Sequence, residues 1–328
     1  MHNDNVIQSK LFPFCTLCGS TGVTIYSELQ DVLFASAGLW NIKQCPNRAC
    51  GLMWLDPMPL ESDIHKAYKF YYTHDEKAKK KSALIELFGA ILTKFLLLFL
   101  RLTPIYRERR DFSQMYLGKI KPGRLLELGC GNGARLLQLA ALGWSVEGQE
   151  VDRMSALMAA KNGIKIHLGP VETLKLPDAS YEAVVMNHVI EHIHDPVKLL
   201  SECRRLLTSN GVLISVTPNI HSFGHRVFKS RWRGLEPPRH VFLHCQNSLH
   251  LVAQKAGFRN PITWTTSSGA HHFSQGSLKI IYGSNNLNLF KKTVCYFAPK
   301  LFLLVARLVQ TFDNDSGEEC VLMLRKEK

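Results

Sequence analysis

The stretch Arg124-Leu-Leu-Glu127-Leu-Gly129-Cys130-Gly131-Asn-Gly133 decides how this chain folds. Its first half is apolar and reads as a buried strand. Its second half places Gly at every other position and reads as a tight turn. Residues 132–142 then read as a helix, stopped by Gly143. Glycines at a strand-to-helix turn let the backbone approach a ligand closely, and the helix N-terminus adds partial positive charge. Such a turn alone fits several nucleotide-type ligands. No phosphate-binding Lys of a P-loop follows, so NTP hydrolysis is not expected, and the fingerprint is shorter than the dinucleotide one.

Working outward, the next strand (144–150) ends in Glu150, seventeen residues past Gly133. A carboxylate there can accept both hydroxyls of a ribose. A helix is expected over 153–161, and strands over 164–168 and 183–186. Asp195-Pro196 opens a helix with Leu199, Leu200, Cys203, Leu206 and Leu207 on one face, ended by Gly211. A strand over 212–216, a helix over 248–256 and a last strand from Cys320 complete the pattern. Alternating strands and helices joined by short turns predict a doubly wound, mostly parallel α/β sheet.

Taken together, Glu127-x-Gly129-x-Gly131-x-Gly133, the Leu176-Pro-Asp approach to the fourth strand, Asn187-His188-Val-Ile-Glu191-His192-Ile-His-Asp195-Pro196 after it, and Gly211-Val-Leu-Ile-Ser-Val-Thr-Pro218 resemble the class I S-adenosylmethionine-dependent methyltransferases over about 120–260. The resemblance implies a Rossmann-like sheet of seven strands. It implies that Glu127, Gly129, Cys130, Gly131 and Gly133 surround the methionine part of S-adenosylmethionine. Glu150 would hold the ribose, and Asn187 and His188 would lie beside the sulfonium. Pro170 stands where the family often has an acid near the adenine amine; Glu172 is the available substitute.

Loops at the carboxyl ends of strands are where such folds place substrate. The loop after the fifth strand, about 220–244, carries several His, four Arg and a Trp. His titrates near neutrality and suits general-base work. His240 follows two prolines and is the first candidate base, with His192 second. Arg226, Arg231, Arg233 and Arg239 are candidates to clamp a phosphate or carboxylate.

Residues 1–60 hold Cys15-Thr-Leu-Cys18-Gly and Cys45-Pro-Asn-Arg-Ala-Cys50-Gly. Two knuckles of paired Cys can wrap a tetrahedral zinc, and four protein ligands leave no open position, so the metal would be structural. The second knuckle is two residues longer than usual; the alternative is four unlinked buried thiols. The whole chain also resembles a bacterial subgroup that joins such a segment to a methyltransferase domain with a Trp-Arg-Gly-Leu-x-Pro-Pro-Arg-His loop. Sugar C-methyltransferases share the zinc segment but add a large C-terminal domain with no counterpart here, which points instead to O-methylation of a small-molecule, sugar or lipid-linked acceptor.

The 328 residues carry 40 Lys+Arg against 27 Asp+Glu, a formal charge of +13. That surplus suits an anionic partner. Hydrophobic residues make up 46%, which excludes wholesale disorder. MHNDNVIQSK has no secretory pattern, so reduced thiols and a cytoplasmic protein are expected. Residues 61–115 read as a helical linker. It carries a basic run at Lys77, Lys79, Lys80 and Lys81 and an apolar helix near 83–102, which packs internally, lies in a membrane leaflet or spans it at a tilt. Residues 116–328 form the expected catalytic domain, with a second basic and hydrophobic insertion at about 270–315. The two greasy segments together suggest an anionic membrane surface, on the inner face of the cytoplasmic membrane.

Two rival functions remain at this level. An RNA base methyltransferase with a zinc recognition segment fits the charge, but the positive residues are interleaved with Leu and Phe rather than with exposed stacking aromatics, and no Asn-Pro-Pro-Tyr-type motif follows the fourth strand. A non-enzymatic partner-holding module would not need the intact glycine motif.

Overall fold

The computed structural model describes residues 6–68, 104–283 and 289–327. The helix expected near 83–102 and the Lys run before it lie outside the described residues.

The N-terminal segment is a set of short strands: β1 (Ser9–Lys10), β2 (Val23–Leu29), β3 (Trp40–Gln44), β4 (Met53–Leu55) and β5 (Met58–Pro59). β2, β3 and β4 form an antiparallel sheet, and β1 pairs with β5. Trp54 is fully buried, and its indole N–H donates to the Phe12 carbonyl at 2.7 Å. Asp56 accepts from the Phe12 amide at 2.7 Å and pairs with Lys43 at 2.6 Å, so β3, β4 and the first knuckle are tied to one carboxylate.

The second half begins with helix α1 (Pro104–Ser113), then β6 (Arg124–Leu128), α2 (Ala134–Ala140), β7 (Ser145–Glu150), α3 (Arg153–Lys161), β8 (Lys165–Leu168) and β9 (Tyr181–Asn187). It continues with α4 (Pro196–Leu206), β10 (Leu207–Pro218), α5 (Phe223–Phe228), β11 (Phe242–Leu243), α6 (Gln246–Lys255), β12 (Ile262–Thr266), α7 (Ala270–Tyr282), α8 (Leu289–Phe312) and β13 (Glu319–Arg325). Seven strands form one sheet in the order β12-β13-β10-β9-β6-β7-β8, parallel except for β13, which runs against both its neighbours. The central strands read as continuous apolar runs because both sheet faces are covered. Leu125, Leu126, Val184, Val185, Leu213 and Ile214 are all inaccessible to solvent. Asp195 caps α4 as expected, accepting from the Lys198 amide at 2.9 Å.

Two features depart from the sequence expectation. Helix α4 stops at Leu206 rather than at Gly211; the chain enters β10 directly and bulges between Leu207 and Val212, with Asn210 left-handed at φ 64°. The boundary expected at about 60 does not divide the packing. β11, from the loop after β10, adds to the N-terminal sheet as its fourth strand, with Phe242 opposite Trp54 and Leu243 opposite Met53. One hydrophobic core therefore runs from Trp54, Leu55 and Met58 through Phe242 and Leu243 to Leu199, Leu200 and Leu249. A fully buried side chain of this size contributes roughly 1.5–3 kcal/mol, so the two halves are stabilised as one body.

Helices α7 and α8 form the insertion between β12 and β13. Phe302, Ala306 and Gln310, four residues apart, face inward: Phe302 stacks on Phe223 at 5.2 Å, Ala306 is fully buried, and Gln310 donates to the Thr265 carbonyl at 2.8 Å. Tyr296, Phe297, Leu301, Leu304, Leu308 and Phe312 are each more than half exposed. The stretch Thr293–Phe312 is long and apolar enough to cross a membrane by length and composition, and little of it is buried.

Candidate active site

β6, β7 and β9 end side by side, and their C-terminal ends carry the predicted cofactor residues. Gly129, Gly131 and Gly133 adopt φ of 62°, 54° and 78°, a region closed to most side chains. A Cβ on Gly129 would meet Val189 Cγ2 at 2.7 Å, whereas one on Gly131 would project into open space. The loop is thus packed from below and open above. Glu150 sits at its rim: one carboxylate oxygen accepts from the Gly131 amide at 2.8 Å, and the other from the amides of Val151 and Asp152 at 2.8 and 2.9 Å. Those bonds fix the carboxylate and leave further acceptor capacity for a diol. Cys130 points away from the opening; its sulfur lies where a Cβ on Gly148 of β7 would be, 2.6 Å off.

Gln149 was not anticipated from sequence. Its side-chain oxygen accepts from the Gly129 amide at 3.2 Å, and its amide donates to the Gly169 carbonyl at 2.7 Å. It lashes the glycine loop to the end of β8. Only its place one residue before the strand-end acid hinted at this.

Glu127 is buried on β6. Burial pushes its carboxyl up to about 7, against the pull of Arg135, whose Nε lies 3.5 Å away. Its Oε2 has no hydrogen-bond partner, and neither has the buried side-chain oxygen of Asn187 at the end of β9. Two orphaned buried acceptors beside an open glycine loop fit a ligand that brings its own donors, as the amino group and ribose of S-adenosylmethionine do.

His188 is engaged elsewhere than expected. It is left-handed (φ 55°), and its ring bridges two carboxylates, with Nδ1 3.2 Å from Glu191 and Nε2 2.8 Å from Glu319. Burial alone would disfavour the imidazolium, but the two carboxylates outweigh it and raise His188 to about 9. His188 is therefore a fixed cation and not a base. The same contact holds Glu191 ionised, and Glu191 also accepts from the Thr217 hydroxyl at 2.9 Å.

The candidate bases His192 and His240 come together, ring centroids 4.7 Å apart in an edge-to-face arrangement. His192 Nδ1 donates to the Arg239 carbonyl at 3.0 Å and lies 3.1 Å from the Tyr68 hydroxyl. His240 Nδ1 donates to the Gly234 carbonyl at 2.7 Å. A carbonyl only accepts, so in each neutral ring the proton sits on Nδ1 and Nε2 carries the lone pair; His240 Nε2 lies 3.6 Å from a Glu236 carboxylate oxygen. Burial depresses both histidines below the ordinary value, His240 the more strongly.

The four arginines do not form one anion clamp; only Arg233 and Arg239 meet, on Glu236. Arg239 is a correction to the expected anion clamp. It is fully buried, with Nε donating to Glu236 at 2.8 Å and NH1 to Asp31 at 2.8 Å, to Ser36 and to the Ala67 carbonyl. Arg233 pairs with the same Glu236. Arg226 is half exposed and pairs with Asp313 at 2.7 Å, and Arg231 lies exposed at the end of a short 3-10 helix, Lys229–Arg231. The loop folds on itself: Trp232 is buried between the His225 ring at 4.9 Å and Phe273 at 5.6 Å, and its ring occupies the space beside Gly234.

Cys15, Cys18, Cys45 and Cys50 converge. All four sulfurs lie within 4.8 Å of one another, with Cys15–Cys50 at 3.6 Å and Cys18–Cys45 at 3.3 Å. Tetrahedral zinc with bonds of about 2.3 Å places its sulfurs roughly 3.8 Å apart, so the set fits that ion. The longer second knuckle closes because Asn47 accepts through its carbonyl from the amides of Cys50 and Gly51, both at 2.9 Å.

Residues 104–261 match the family model described as a methyltransferase domain. A probable S-adenosylmethionine-dependent methyltransferase of Mycolicibacterium smegmatis is 37% identical over 101 residues, covering 30% of this chain and 39% of that protein. A ubiquinone biosynthesis O-methyltransferase of Cereibacter sphaeroides is 28% identical over 172 residues, covering 46% of this chain and 70% of that protein. Among solved structures, an S-adenosylmethionine-dependent methyltransferase of Thermotoga maritima, a possible histamine N-methyltransferase, is 20% identical with a TM-score of 0.45, covering 74% of this chain and 98% of that one.

Proposed function

We propose that this chain, whose residues 104–261 match a methyltransferase-domain model, is a class I S-adenosylmethionine-dependent methyltransferase that methylates an oxygen of a small-molecule acceptor. The observation that carries the reading is the glycine loop at the end of β6, open above Gly131 and flanked by the orphaned buried acceptors of Glu127 and Asn187. When bound, S-adenosylmethionine supplies an electrophilic methyl. Glu127 would take its amino group, the backbone at Gly129–Gly131 would pass along its methionine part, and Glu150 would take the ribose hydroxyls. Among the imidazoles, His240 Nε2 is the atom suited to receive the acceptor's proton, because Nδ1 is already a donor. Ionised Glu191 beside the pair favours the imidazolium that results. Cofactor and acceptor must be held in line for the transfer.

Oxygen as the acceptor atom is supported by the O-methyltransferase among the relatives and by the absence from the sequence of an amine-methylating motif after β9. The four-Cys cluster would hold structural zinc. The exposed apolar side of α8, with Lys300 3.8 Å above the Tyr296 ring, supports docking on an anionic leaflet and hence a lipophilic acceptor such as a lipid-linked sugar. The test is methyl transfer from labelled S-adenosylmethionine to phenolic, sugar and lipid-linked hydroxyl acceptors. Transfer to a hydroxyl that falls at least 100-fold in His240→Ala is the expected outcome. Methylation of RNA with those acceptors inert would overturn the reading.

A further inference from the structure

A general base needs one imidazole, yet the structure braces two, together with a carboxylate. One ligand atom from each of Glu191, His192 and His240 lies within 4.8 Å of the others. The three are tied to each other through the backbone. Val241 donates its amide to the Glu191 carbonyl at 2.9 Å, and His192 Nδ1 donates to the carbonyl of Arg239, the residue before His240. His240 Nδ1 is in turn fixed on Gly234 at 2.7 Å. A ring N–H spent on a backbone carbonyl is the arrangement that orients a metal-ligating His and leaves Nε2 to bind. The carboxylate is also supported from behind, by Thr217 at 2.9 Å and His188 at 3.2 Å. Arg239, which carries one of these carbonyls, is anchored by Asp31 and Glu236, so the brace reaches the N-terminal sheet.

We propose that Glu191, His192 and His240 hold a divalent first-row transition cation, separate from the four-Cys cluster. Ligands on one such ion at about 2.1 Å stand roughly 3–3.5 Å apart, within a small side-chain adjustment of the arrangement seen. Two imidazoles and one carboxylate select a borderline ion such as Mn(II), Fe(II), Co(II) or Zn(II), and they leave coordination positions open. Binding itself does not depend on the methyl-transfer reading; only its use does. Within that reading, an acceptor hydroxyl would occupy an open position and ionise there, its proton passing to water. His240 Nε2 would then be a ligand and no longer the proton acceptor.

Mn(II) is the discriminating probe, because it prefers oxygen and imidazole ligands and a four-thiolate site does not select it. The full chain, loaded with zinc, is titrated with Mn(II) and followed by electron paramagnetic resonance, with S-adenosylhomocysteine binding measured on the same samples. The expected result is about one Mn(II) bound per chain, weakened at least tenfold in His240→Gln and in Glu191→Gln, with the zinc content unchanged. His192→Gln serves as a further variant if either of these fails to fold. Wild type that binds S-adenosylhomocysteine but neither Mn(II) nor Co(II) beyond the zinc site would overturn the proposal and leave the methyltransferase reading intact. So would Mn(II) binding that survives in a folded His240→Gln. Mn(II) binding without S-adenosylhomocysteine binding would instead remove the methyl-transfer reading while keeping the site.

Discussion

Glu127 carries a prediction that belongs to a single side chain. Its carboxyl, raised to about 7 by burial, is partly protonated at neutral pH in the free protein. An ammonium ligand binds the ionised form better. Affinity for S-adenosylhomocysteine should therefore rise with pH between about 6 and 7.5, by on the order of fivefold and at most tenfold per pH unit, while the ligand's α-amino group stays protonated. Calorimetry at several pH values checks this. Glu127→Gln should flatten the profile, and a slope that persists in the variant would place the titrating group elsewhere. Glu127 and Glu150 were legible in the sequence because strand ends fix where such acids project. Gln149, Glu319 and Tyr68 were not. Gln149 matters through the register that sets β7 beside β6, and Glu319 reaches His188 from 131 residues away.

The loop from Ile220 to His244 shows what charge and spacing alone leave undecided. The sequence identified the segment and brought forward His240, but it grouped the four arginines by their shared charge. Partner identity decides what an arginine does, and the partners are Glu236 within the loop, Asp31 some 208 residues away, and Asp313. Arg239 is thus a strut. Arg239→Met would leave Asp31 buried without its cation and Glu236 with Arg233 alone, and should cost about 3–5 kcal/mol, seen as a lowered denaturation midpoint. Arg226→Ala, at a half-exposed pair, should cost no more than about 1 kcal/mol. Equal small effects would mean that the buried network contributes nothing. α8 makes the other prediction at this scale. Changing Phe297, Leu301 and Leu304 to Ser should abolish co-sedimentation with anionic vesicles and spare the fold, since these side chains are exposed. Wild type that ignores vesicles would remove the membrane part of the account.

For the whole molecule, the sequence showed a Cys-rich piece followed by a catalytic one, because the two carry different motifs. β11 makes them share a sheet and a core. That pairing joins residues nearly 200 positions apart, and two apolar residues between a Pro-rich turn and a helix carry no mark of it. Zinc at the four-Cys cluster should accordingly stabilise the catalytic half. Chelation, or Cys45→Ser, is expected to lower the melting temperature of the entire chain in one transition and to weaken cofactor binding, whereas two independent transitions would restore the division at about 60. The central claim, a cofactor site between the glycine loop and the strand-end acids, is tested most directly by titrating the intact chain with S-adenosylhomocysteine beside Glu150→Ala. The account predicts one site of micromolar affinity, weakened at least tenfold in the variant, as loss of charge-assisted hydrogen bonds worth about 1.5–3 kcal/mol requires. A folded, zinc-loaded wild type that binds no S-adenosylhomocysteine, or a Glu150→Ala variant that binds as well as wild type, would contradict it.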